Sequence, residues 1–130
     1  GLEPDPKRMF SGNYSRTSGR RAAEAVCERL RDLDAMFVAN DRMAIGLMQA
    51  LRERGVRVPD DLAIVGCDDS DLAAMVDPPL TSVRVPFGEM GRTAAERLLD
   101  RLPDWRGPES VFHETLPTEL VVRESSAPRP

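Results

Sequence analysis

The sequence predicts an α/β fold, a parallel sheet flanked by helices, and three observations carry that prediction. Residues 35–39 and 62–66 are short runs that are apolar at every position, and such runs mark strands buried on both faces, as parallel sheets require. Around them lie stretches of about a dozen residues with apolar side chains at three- and four-residue spacing, the period of an amphipathic helix. Gly, Pro, Asn and Asp fall at the joins, where turns need them. The 130 residues are enough for one domain around one core.

Residues 8–12 read as a short extended run leading into Asn13 and Tyr14. A helix follows over 17–33, with Ala22, Ala23, Val26, Leu30 and Leu33 on its buried face, Ser15 or Thr17 as N-cap and Asp34 closing it. The first strand is 35–39. Asn40 and Asp41 then open a helix over 42–54, whose buried stripe is Met43, Ile45, Gly46, Leu47, Ala50 and Leu51, with Gly55 as its stop. Both opening residues are favoured N-cap types, and Asp41 is read mainly as a cap. A turn at 58–61 precedes the second strand, 62–66. A short helix over 71–76 ends at Asp77-Pro78-Pro79. The third strand is 81–85 and the third full helix 87–102. After a loop at 103–108, short strands at 111–116 and 118–123 are separated by Pro117, and 125–130 reads as a frayed tail.

Composition then narrows the function. Aromatic residues are only 5%, so the core must come mainly from Leu, Val, Ala, Ile and Met. Eighteen basic residues against 22 acidic ones give a net charge of -4, which offers no general attraction to nucleic acid. No stretch approaches the ~20 apolar residues of a membrane span. Cys27 and Cys67 lie in different elements, and His113 is the one histidine, so a zinc cluster lacks its ligands. A Ser-His-Asp triad would depend on His113 alone, and no G-x-S-x-G elbow is present. An acidic magnesium pocket of the phosphoacceptor kind wants its acid pair after the first strand and a lysine after the last. Here Asp68-Asp69 follows a middle strand and the single lysine is Lys7. A glycine-rich phosphate loop is missing too. The expectation is a protein that is not an enzyme and takes no metal or cofactor. Trp105 and His113 read as satisfied surface or core residues.

Ligands of open parallel sheets sit at the carboxyl ends of the strands. That rule selects Gly12-Asn13-Tyr14, Asn40-Asp41, Cys67-Asp68-Asp69 and Pro86-Phe87. Amides and carboxylates hold hydroxyl groups in fixed directions, and aromatic faces stack on rings. The set suits a small polyhydroxylated ligand such as a sugar or nucleoside. Asp68 and Asp69 have the alternative of capping the short helix after them, and Cys67 reads as packing, since no base or cation adjoins it.

The segments VANDRMAIG, RVPDDLAIVGCDD, PPLTSV and MGRTAAERLL, in this order and spacing, resemble the LacI/GalR bacterial transcription regulators. SGNYSRTSG before them and LPTELVVRESS after them also match, so the resemblance covers nearly the whole chain. It corresponds to the carboxyl-terminal part of that family's effector-binding core. The resemblance implies a periplasmic-binding-protein-like type I lobe, incomplete here, that senses a small effector and thereby controls operator DNA binding by the full-length protein. The family's ligand positions carry over to Tyr14, Asn40, Asp68 and Phe87. Asn13 stands where an acid is usual and Cys67 where an aromatic is common. It also implies that residues 87–102 form a helix of the amino-terminal lobe, and that the DNA-binding domain and the first strand and helix of this lobe lie outside the chain. The opening at Gly1, without Met or signal sequence, reads as part of a longer cytoplasmic protein. A periplasmic sugar-binding protein of a transport system is the alternative, although PPLTSV and MGRTAA favour regulation.

The helix at 87–102 carries one further expectation. Phe87, Met90, Ala94, Leu98 and Leu102 form a stripe widened by Gly91, Ala95 and Leu99, and such a face needs a partner. Left open, it is an association site, as are strand edges without neighbours. A homodimer or larger oligomer is therefore expected, the alternative being that the helix docks on its own sheet.

Overall fold

The computed structural model describes residues 5–101 and 113–127. Its strands are β1 (Ala35–Phe37), β2 (Ala63–Asp68), β3 (Thr81–Arg84) and β4 (Glu119–Val121), hydrogen-bonded in that order. Its helices are α1 (Arg16–Glu28), α2 (Asp41–Glu53), α3 (Asp71–Met75) and α4 (Phe87–Arg101). β1, β2 and β3 are parallel, with Phe37 beside Val65 and Val65 beside Thr81. β4 departs from the expected all-parallel sheet, running antiparallel to β3 with Glu119 opposite Arg84. The reason lies in α4, which buries none of its residues. It does not pack back across the sheet as a crossover helix would, and the chain returns along β3 in the opposite sense.

The core forms where α1 and α2 meet the sheet. Val26, Leu47, Leu51, Leu62, Ile64 and Leu80 are buried almost completely there. Every residue expected on the buried stripe of α2 is buried, and Ala44 and Met48 join them. Gly55 stops the helix with φ 78. α1 ends at Glu28, earlier than its spacing suggested, because the chain tightens into a 3-10 turn over Leu30–Asp32. That turn still brings Leu30 and Leu33 against the core. Ser15 caps α1, its hydroxyl oxygen accepting from the Ser18 N–H at 3.1 Å. The two helices pack backbone to backbone. A Cβ on Gly19 would fall on the Met43 carbonyl oxygen, and one on Gly46 on the Arg16 carbonyl oxygen.

Three expectations are corrected. β1 is not buried on both faces: Phe37 is 63% exposed, because β1 is the edge of the sheet and borders a groove of about 670 Å³. Of the two late strands, the second forms over 119–121; residues 113–118 have no regular structure, and 111–112 lie outside the described residues. The start of the supposed frayed tail is instead a buried polar contact that ties β2 to β3. Ser125 is fully buried; its Oγ donates to the Ile64 carbonyl at 2.6 Å and accepts from the Thr81 N–H at 2.8 Å. The Ile64 N–H in turn donates to the Ser125 carbonyl at 2.8 Å. A hydroxyl that completes a buried backbone ladder cannot be read from composition. Met90 and Leu98 on α4 are 46% and 56% exposed, so the stripe is not covered by its own sheet. Leu102, Trp105 and the 103–108 loop lie outside the described residues.

Candidate ligand-binding site

Among the described residues, three that are not glycine take positive φ: Tyr14 at 62°, Asp68 at 116° and Asp69 at 53°. All three fall in stretches selected from the sequence. Such backbone costs on the order of 1–3 kcal/mol per residue and persists where the surroundings impose it, which is characteristic of functional sites.

Asn40 follows β1 and is the N-cap of α2. Its Oδ1 accepts from the Met43 N–H at 3.0 Å, and its Nδ2 donates to the Tyr14 carbonyl at 3.1 Å. The cap is therefore Asn40 and not Asp41. Asp41 is the first helical residue and is fully buried. Its Oδ2 accepts from the Ser70 N–H at 2.7 Å and the Ser70 hydroxyl at 2.9 Å, and its Oδ1 from the Ser82 hydroxyl at 2.6 Å. Both residue types are good caps, so the sequence alone did not separate them. The two serine partners, remote in sequence, decide it.

Asp68 ends β2. Burial pushes its carboxyl above the ordinary range, the charge of Asp41 adds to this, and the Asp41 backbone N–H pulls back the other way. The residues after Asp68 tie this strand end to the start of α2, since the Ser70 N–H and hydroxyl both donate to Asp41. Asp68 and Phe87 line one open depression of about 620 Å³, with Phe87 57% exposed. Tyr14, 66% exposed, lies in the groove beside β1 and follows an irregular segment in place of a strand. The expected residues therefore group as two pairs: Asn40 with Tyr14 through a hydrogen bond, and Asp68 with Phe87 in one depression. They are joined through the Asn40-Asp41 helix start.

Two further candidates have structural commitments. Asn13 Oδ1 accepts from the Ser15 hydroxyl at 2.6 Å and the Ser15 N–H at 3.3 Å, which shapes the entry to α1. Burial, and then the Asp68 charge, push the Cys67 thiol up, away from the reactive thiolate form. Among the described residues, no group of three or more His, Cys, Asp or Glu side chains is arranged to hold a metal.

Asp69 is a site residue whose role sequence reasoning missed. Its carboxylate accepts from Arg84 Nε at 2.7 Å and from Arg123 Nη2 at 2.6 Å, and its side chain is only 5% exposed. Arg84 also reaches Glu119 at 3.0 Å. Burial raises the Asp69 carboxyl, but the hydrogen bonds and charges of Arg123 and Arg84 outweigh it, and the net position is below the ordinary range. Asp69→Ala is expected to cost about 3 kcal/mol in urea unfolding at neutral pH, because it strands a largely buried guanidinium. Since the folded-state value is depressed, this stabilisation is present above the unfolded carboxylate pKa. It is lost as pH falls through the lower folded value, so the gap between wild type and variant should close in acid.

An α/β lobe with candidate ligand residues at its strand ends is the class that this sheet defines. The chain belongs to the periplasmic-binding-protein-like domain family, whose model matches residues 1–126. It is 42% identical over 122 residues to the HTH-type transcriptional repressor MelR of Bacillus subtilis (strain 168), an alignment covering 94% of this chain and 35% of that protein. Among solved structures it resembles the transcriptional regulator CelR–cellobiose complex, with TM-score 0.85 and 38% identity over 96% of this chain and 38% of that one. It also resembles a LacI family transcriptional regulator from Enterococcus faecium with bound ribose, with TM-score 0.79 and 31% identity over 93% of this chain and 44% of that one. The LacI-type resemblance read from the motifs is thereby borne out. The chain spans a little over a third of the length of the curated relatives it matches.

Proposed function

We propose that this chain is the ligand-sensing portion of a bacterial LacI-type transcriptional regulator. A sugar or related hydroxyl-rich molecule bound at its strand ends controls operator DNA binding by the full-length protein, in the cytoplasm and without catalysis. The observation that carries this reading is that one helix start serves both halves of the site: Asn40 holds the Tyr14 carbonyl and Asp41 holds Ser70 after Asp68, with Tyr14 and Phe87 exposed. An amide and a carboxylate fix hydroxyl directions, and the aromatic faces take the apolar side of a ring. The relatives are named regulators and not transport proteins. No described helix is long and apolar enough to cross a membrane. A thermal-shift screen of the full-length protein against cellobiose, ribose, sugar phosphates and nucleosides tests the reading. At least one should raise the melting midpoint by about 5 °C at saturation; no shift from any class refutes it.

In this reading α4 belongs to the amino-terminal lobe of the full-length protein. In the 130-residue chain alone, its Met90 and Leu98 face is covered by a second copy, since soluble monomers seldom leave such stripes open. Light scattering behind a sizing column should show a dimer or larger species. A monomer at micromolar concentration refutes the association.

A further inference from the structure

We infer that Asp41 is a positioning residue for the ligand site: its buried carboxylate locks the Asp68–Ser70 turn and so aims Asp68. This rests on the function proposed above. Asp41 is 0% exposed, at the first position of α2, and its partners are all hydroxyl or amide donors. Oδ2 takes both the backbone N–H and the hydroxyl of Ser70, at 2.7 and 2.9 Å. Oδ1 takes the Ser82 hydroxyl at 2.6 Å, and the Ser82 oxygen accepts the Asp69 N–H at 3.1 Å. Two consecutive amides of the turn, those of Asp69 and Ser70, therefore end on Asp41, one directly and one through Ser82.

The turn needs this hold, because Asp68 and Asp69 both sit at positive φ, a backbone that an L side chain leaves when released. The carboxylate draws its strength from position. It lies at the positive end of α2, and a charged acceptor strengthens each hydrogen bond it receives. Asn40, one residue earlier, fixes Tyr14 through its carbonyl. One helix start thus sets both halves of the site: the cap residue holds the aromatic, and the next residue holds the acid.

Hydrogen exchange of the full-length protein, read by mass spectrometry, tests the inference without any ligand. In Asp41→Ala, exchange over residues 66–72 should quicken by ~10-fold while 44–52 keeps wild-type protection. Asp41→Asn should restore most of that protection, since its amide oxygen can accept from Ser70 and its NH₂ can donate to the Ser82 oxygen. Ser82→Ala, which cuts only one link, should quicken the same segment by a smaller factor, and it decides the matter if the alanine variant at 41 does not fold. Unchanged protection over 66–72, or an equal loss over 44–52, overturns the positioning role. Failure of wild type to bind cellobiose, ribose or the other probes would count against the functional reading and leave this result standing. If cellobiose does bind, an unchanged affinity in a folded Asp41→Ala overturns the link to ligand.

Discussion

Asp68→Ala in the full-length protein is expected to weaken binding of the proposed hydroxyl-rich ligand by about 1.5–3 kcal/mol, roughly 10- to 150-fold, the range for a charged hydrogen bond. Titration calorimetry with the ligand found by thermal shift reads this directly. Affinity equal to wild type would reduce Asp68 to a strand terminus. The pH dependence follows from its surroundings. Burial, helped by Asp41, raises the carboxyl, so the charged form disappears at a higher pH than for a free aspartate near 4. Affinity should begin to fade above that point as pH falls. The effect of the same group on folding has the opposite sense. A carboxyl raised in the folded state favours folding fully below its unfolded pKa, and that contribution is lost as pH rises through the folded value.

Gly46→Ala is expected to be among the most damaging single substitutions in the core, at about 3 kcal/mol or more. The added methyl would fall on the Arg16 carbonyl oxygen. A flexible side chain can swing aside, but this obstacle is the backbone of α1. Relief would require the helices to separate, and Leu47 and Ala23 to lose the packing that buries them. Urea unfolding should show a lowered midpoint with an unchanged slope. A midpoint within experimental scatter of wild type would mean that α1 can shift freely on α2. The substitution would also disturb the site, because Asn40, at the start of α2, holds the Tyr14 carbonyl just before α1.

Much of this was legible in the sequence because periodicity reports burial. The stripe from Met43 to Leu51 repeats with the helical period, and every member of it is buried. The positions of Asp68 and Asn40 just at or after strands were legible because the strand-end rule depends only on where an apolar run stops. What escaped detection depended on partners far away along the chain. Asp69 owes its role to Arg123, 54 positions later, and Asp41 owes its role to Ser70 and Ser82. No local pattern marks these pairings. The direction of β4 escaped for a related reason: a run such as Glu119–Val121 looks the same whichever way it pairs, and the path of α4 decides its sense. The exposure of Phe37 followed from the position of β1 at the edge of the sheet, which a list of strands does not contain.

The Ser125 contact has a consequence for how the molecule is made. Its partners, Ile64 and Thr81, are 61 and 44 residues earlier. A ribosome adding roughly 5–20 residues each second reaches Ser125 about 3 to 12 seconds after Ile64. For that interval the nascent chain carries β2, joined by β3 once Thr81–Arg84 are made, with starting ends unlatched, and the amide and carbonyl of Ile64 lack the partner they finally take. Neither early helix can shorten this wait, because the missing groups are supplied only by residues still to be translated. Slower decoding after Thr81 would lengthen the exposed period, and with it the opportunity for a chaperone, a protease or another nascent chain to engage the open sheet.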